Sequence, residues 1–200
     1  MARSRESILA VFEDQAPGKF FAEDAATSTK GSQALAEKVE ALADLPEIVW
    51  HLIGNIQTNK AKLAARLAHV VHTVDDVSIA KELGKRAATL GRTLPVLIEV
   101  NVGGEAQKHG ATPSDIADVA FAVNAQPSLS LRGLMTVPPH TDDPAGARPY
   151  FSTLRTLRNA HGGAALLPEL SMGMSDDLEA AVAEGATMVR IGTAIFGRRG

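Results

Sequence analysis

The 200-residue chain contains no cysteine. That excludes disulfides, thiolate metal sites and cysteine nucleophiles, and it fits a reducing compartment. No apolar run approaches the roughly 18 residues of a membrane span. The opening "MARSRESILAV" lacks the long apolar core of a secretory leader. Charge of one sign is also missing as a block. The formal net charge is -3 and the charges are interspersed, so no nucleic-acid or membrane surface is expected. No metal-ligand spacing such as HExxH occurs. A soluble cytoplasmic monomer is the expectation.

What is present is apolar content of 45%, enough for a sizeable core. From residue 33 the chain alternates between two periodicities. Helices are expected at 33–44, 58–68, 75–91, 112–125, 146–160 and 176–186. Strands are expected at 48–54, 70–74, 96–102, 131–137, 169–173 and 188–197. In "TPSDIADVAFAVNA", Thr112 is the expected N-cap and Pro113 the first helical residue. Repeated strand–helix alternation with short connections predicts a parallel α/β sheet. Counting "SILAV" (7–11) as a strand, and one more within 18–32, gives eight. The fold class is therefore a (β/α)8 TIM barrel in one domain over 1–200, incomplete at strands 1–2 if the opening region fails. An open doubly wound sheet is the rival.

In such a barrel, function gathers at the carboxyl ends of the strands. Those ends are His51 and Asn55, Asn101 with "GGEAQKHG", Thr136 with "PPH", "SMGMS" and "RIGT". Ser171-Met172-Gly173-Met174-Ser175 runs into a helix start. A glycine flanked by serines offers backbone N–H groups and hydroxyls suited to a phosphate. The plainer reading makes Ser175 an N-cap for "DDLE". Gly192 and Thr193 offer a second close approach. Arg190 is harder to treat as packing, because a guanidinium within a barrel strand is costly unless paired or functional. His51, between Trp50 and Leu52, reads as a satisfied core or rim histidine. His109 and His140 read as loop residues.

Four segments carry a resemblance: "WHLIGNIQTNKAK" (50–62), "VNVGGEAQKHG" (100–110), "RGLMTVPPH" (132–140) and "LSMGMSDDLEAAVAEGATMVRIGTAIFGRR" (170–199). Together they resemble the pyridoxal phosphate homeostasis protein family, also called the YggS or PROSC family. The resemblance covers roughly residues 33–199. It implies a barrel like the N-terminal domain of alanine racemase. It also implies pyridoxal 5'-phosphate (PLP) held at the strand ends, and a carrier or buffering role without established catalysis. By the same resemblance, Ser171, Met172, Gly173 and Ser175 lie on the phosphate side, with Gly192 and Thr193 as a second phosphate segment. Arg190 faces the pyridine nitrogen. Asn55 stands where the family usually has histidine.

The opening region departs from the family. Where the family reads "AVSKTKP", whose first lysine forms the Schiff base with PLP, this chain reads "AVFEDQAP". Phe12, Glu13 and Asp14 replace Ser, Lys and Thr. The family's "FGEN" strand has no counterpart in 18–32. Phe-Glu-Asp-Gln-Ala-Pro can be encoded as TTC GAA GAC CAA GCC CCN. One base later this reads TCG AAG ACC AAG CCC, which is Ser-Lys-Thr-Lys-Pro. Residues 12 to about 32 are therefore expected to be out of frame, the rival being a divergent paralogue that has lost its lysine. PLP is expected to bind noncovalently unless Lys19 or Lys30 substitutes. Two other functions stay open: an alanine racemase-like PLP enzyme, and a degenerate barrel without cofactor. The chain's end at Gly200, just after the expected eighth strand, argues against the enzyme.

Overall fold

The computed structural model describes residues 35–192 apart from 38, 41, 46, 47 and 142. The strand expected at 7–11, the departing segment 12–32 and Thr193 lie outside the described residues. The described part of the first expected helix is helical at 35–37 and 39–40.

Five parallel strands follow in strict chain order: β1 His51–Leu52, β2 Val70–Val74, β3 Leu94–Glu99, β4 Leu129–Met135 and β5 Glu169–Ser171. Between them run α1 Ala61–Leu67, α2 Val77–Thr89, α3 Ile116–Asn124, α4 Arg148–Ala160 and the short α5 Gly163–Leu166; α6 Leu178–Ala183 follows β5. An isolated bridge pairs Ser171 with Met188, so the ladder continues past β5 into the last expected strand. The order never reverses, as it would in a doubly wound sheet. The sheet is a curled parallel half-barrel, and the rival open topology is set aside.

Local chemistry explains most boundaries. In α2, Asp76 Oδ1 accepts the Ile79 N–H at 2.8 Å, and Ile79, Ala80, Leu83 and Ala87 form the buried stripe. Gly91, at φ 64°, closes that helix as the sequence implies. The buried face of α1 is alanine: Ala61, Ala64 and Ala65, with Ala68 just beyond. Arg148 Nε and Arg155 Nη2 meet Glu184 at 2.6 and 3.0 Å, tying α4 to the residue that follows α6.

Three expectations are corrected. The helix expected at 112–125 begins at Ile116, because the Thr112 hydroxyl bonds Asp115 Oδ2 at 2.5 Å instead of capping a backbone N–H. The strand expected at 48–54 is reduced to His51–Leu52, with Gly54 at φ 118° in the turn that follows. Ser175 is not the N-cap of α6; Asp177 occupies that position.

Two apolar clusters lie on opposite faces of the sheet. The larger packs strands against helices. The smaller joins Leu97, Met135 and Met188 with Ile53, Val70 and Val137. This is the barrel interior, since strand residues alternate between faces. Gly133 of β4 is forced by proximity: a Cβ there would stand 1.9 Å from the Glu169 carbonyl oxygen. No helix among the described residues is long and apolar enough to cross a membrane.

Candidate functional site

Above the interior apolar layer, toward the carboxyl ends of the strands, side chains from five segments form one hydrogen-bonded chain. Arg190, fully buried, sends Nη1 to Ser171 Oγ at 3.0 Å and Nη2 to the Thr136 carbonyl at 2.9 Å. Ser171 Oγ lies 2.9 Å from His72 Nδ1, and His72 Nε2 lies 2.8 Å from His51 Nδ1. The Thr136 hydroxyl donates to the Val100 carbonyl at 2.8 Å.

Direction follows from the guanidinium, which can only donate. A consistent arrangement has Arg190 donating to Ser171 Oγ, the Ser171 hydroxyl donating to His72 Nδ1, and His72 Nε2–H donating to His51 Nδ1. This needs a neutral His72. Burial, then His51 and Arg190, hold its pKa well below the ordinary imidazole value. The expectation of a satisfied histidine at His51 is met literally, through an edge-on contact with the His72 ring at 5.0 Å between centroids.

The backbone reinforces the same joint. Arg190 N–H donates to the Gly173 carbonyl at 2.9 Å, and Met172 N–H to the Met188 carbonyl at 3.1 Å. Gly173 has φ 95°, and a Cβ there would lie 2.4 Å from Ala181 Cβ. Both facts require glycine. Met174 N–H donates to Asp177 Oδ1 at 2.6 Å, which folds the segment toward α6.

Ser171, Gly173 and Arg190 are thus brought together by direct bonds. The Met172 side chain joins the helix-facing core, so only its backbone belongs to this joint. Ser175 lines a cavity of about 600 Å³ with Asp143, Arg148, Asp177, Leu178 and Ala180. Among the described residues, nothing lies within 4 Å of a Cβ added at Gly192. Asn55 lies elsewhere in the bonding scheme: its Nδ2 meets His109 Nδ1 at 2.6 Å, joining the loop after β1 to the loop after β3.

Two residues escaped the sequence reading. His72 was absorbed into an apolar strand, and Glu99 into another. Glu99 follows Leu97 by two positions and so shares its interior face. Its Oε2 is buried and takes no hydrogen bond among the described residues. Burial first, then the neighbouring Asp75 charge, push its pKa up to about 7 against the opposing pull of Arg190. The available signal was a titratable residue at an inward position of a strand whose neighbours are aliphatic. Among the described residues no metal-binding cluster of His, Asp and Glu occurs.

This geometry has close relatives. Residues 21–200 match the family described as alanine racemase, N-terminal domain. The pyridoxal phosphate homeostasis protein of Pseudomonas aeruginosa is 48% identical over 168 residues, covering 84% of this chain and 71% of its own. That of Escherichia coli K12 is 37% identical over 210 residues, covering 98% and 88%. Among solved structures, PipY of Synechococcus elongatus with PLP bound superposes with a TM-score of 0.76 at 29% identity, covering 96% of this chain and 99% of PipY. An arginine and a serine joined at the ends of parallel strands are therefore framed by a shared fold and a shared sequence, and the chain belongs to the pyridoxal phosphate homeostasis protein family.

Proposed function

We propose that this chain binds PLP at the carboxyl ends of its strands and serves as a non-catalytic carrier or buffer of the cofactor. The observation that carries the reading is Arg190: a fully buried guanidinium, fixed by Ser171 and Thr136, on the interior of a barrel whose relatives are named for PLP homeostasis. The residues fit the group. Gly173 and Gly192 let backbone approach an anion, the first through its positive φ and the second because no described residue would meet a Cβ there. Ser171 and Ser175 add hydroxyls, and Thr193 follows Gly192 in the sequence. Asn55, at the rim, completes the set of assigned residues. Dipole help from α6 is small, as it has six residues.

When bound, PLP supplies an electrophilic aldehyde conjugated to a pyridine ring. Arg190 has no proton to give up and no lone pair to offer, so it holds the pyridine nitrogen as an acceptor and keeps a proton off it. An unprotonated ring draws electrons weakly. That favours storage over catalysis.

The departing segment at 12–32 removes the family's lysine from its usual place, so the hold on PLP is noncovalent unless Lys19 or Lys30 takes over. Resequencing the coding DNA across this segment decides between a reading-frame error and a true divergence. The reading includes a cytoplasmic monomer, supported by the cysteine-free composition and interspersed charge.

The test is an absorbance titration of the purified full chain with PLP, before and after borohydride, followed by intact-mass measurement. Saturable binding that Arg190→Met abolishes, with no borohydride-trapped mass, is the expected result. Absence of binding overturns the reading. A trapped mass on Lys19 or Lys30 overturns the noncovalent part, and racemisation of an amino acid by the pure protein overturns the non-catalytic part.

A further inference from the structure

Glu99 is a carboxyl group at the end of β3, on the interior face, that the binding reading leaves unused. Its position is fixed by alternation: Leu97 packs on Met135 and Met188, and Glu99 rises above it on the same face. Its Oε2 is buried without a hydrogen-bond donor among the described residues. Glu99 as a whole is half-buried, but a carboxylate with one buried, unpartnered oxygen is unfavourable, and two things relieve it: a proton or an incoming donor.

Among the described residues, the groups facing it are few. From the end of β2 comes Asp75, beside Asp76, with His72 on the interior of the same strand. From the segment after Met188 comes Arg190. From β4 come Met135 and Thr136, neither titratable near neutrality. His109, in the loop after β3, acts on Asp75 and opposes the rise in its pKa.

We propose that Glu99 is a charge-selecting residue of the cofactor site: protonated, it admits an anionic pyridine phosphate beside Arg190, and ionised, it opposes that ligand and offsets the guanidinium. The proposal rests on the PLP reading above and adds to it a ligand charge preference that changes across the neutral range. Asp75 adds to the effect as a neighbouring carboxyl group that raises the Glu99 pKa, while its own pKa is raised by burial and by Asp76. Ligand release as pH rises then needs no movement of the backbone.

The experiment is the PLP dissociation constant of the full chain between pH 6.5 and 8.5, compared with Glu99→Gln. The wild-type affinity is expected to fall on the order of tenfold across that range, while Glu99→Gln stays nearly flat at the tighter value. Both proteins meet the same ligand ionisation, so the difference between them isolates Glu99. Asp75→Asn serves as a second variant, and its fall in affinity is expected to begin at lower pH, since a neighbouring negative charge has gone. Parallel profiles in wild type and Glu99→Gln overturn the proposal while leaving PLP binding intact. Failure of all three folded proteins to bind PLP at any pH overturns the PLP reading, and this proposal with it.

Discussion

His72 Nδ1 lies 2.9 Å from Ser171 Oγ, although β3 and β4 stand between their strands in the sheet. In a flat sheet, three ladder spacings would part those strands by about 14 Å. One side-chain hydrogen bond therefore measures the curl of the sheet, and the same bond supports the Arg190 guanidinium at the centre of the proposed site. Fold and site share this contact.

Ser171→Ala is expected to remove the link at its centre. Arg190 Nη1 and His72 Nδ1 both lose a buried partner, at a cost of about 2–4 kcal/mol in folding stability. Urea denaturation at neutral pH reads this directly. A change within a few tenths of a kcal/mol would show that water replaces the hydroxyl at no cost.

Acid should destabilise the protein through His72. Its folded pKa lies well below 6.5, so the unfolded chain takes up a proton that the folded chain refuses. The His72 contribution to stability is therefore expected to decline as pH drops below about 6.5. His72→Gln should be weaker at pH 7 yet show a shallower decline between pH 6.5 and 5. Denaturation midpoints across that range check the slope.

Glu99 acts with the opposite sign. A folded pKa raised to about 7 from 4.5 means the folded state retains a proton that the unfolded chain has released. The Glu99 contribution to stability is expected to fall as pH rises from roughly 4.5 to 7, with the full penalty present above that. Glu99→Gln should then stabilise the protein at pH 8 by at most about 3 kcal/mol, and by little at pH 4.5. Equal effects at both values would count against a buried carboxyl group.

Much of this was legible in the sequence, for identifiable reasons. β2 falls on 70–74 as expected, since a compact aliphatic run lies between two helices. Arg190 stood out because a guanidinium in a strand has few inexpensive explanations. The errors came where two local solutions compete. Thr112 carries a good capping hydroxyl, but Asp115 and Ser114 take it, and the helix starts later. Ser175 loses the capping position because Asp177 reaches back to the Met174 N–H. His72 and Glu99 went unread because their importance depends on strands far away in sequence, which periodicity alone does not bring together.

Gly173→Ala is expected to cost about 2–4 kcal/mol, from a strained positive φ and a Cβ pressed against Ala181. PLP affinity should drop in parallel, because the carbonyl that Arg190 N–H holds belongs to the same residue. Retained affinity in a weakened but folded variant would separate the backbone joint from cofactor binding.

The bonds of Arg190 also bear on the order of assembly. Its side-chain partners lie 19 and 54 residues earlier. A chain growing from its N-terminus completes β1 to β5 before the residue that anchors their polar ends has been made. Until then His72 and Ser171 face an interior lacking Met188 and the guanidinium. Such late, long-range closure slows folding and leaves apolar surface exposed during synthesis. Truncation before residue 190 should therefore lower soluble yield more than the few residues removed would indicate, since the barrel's inner layer is finished last.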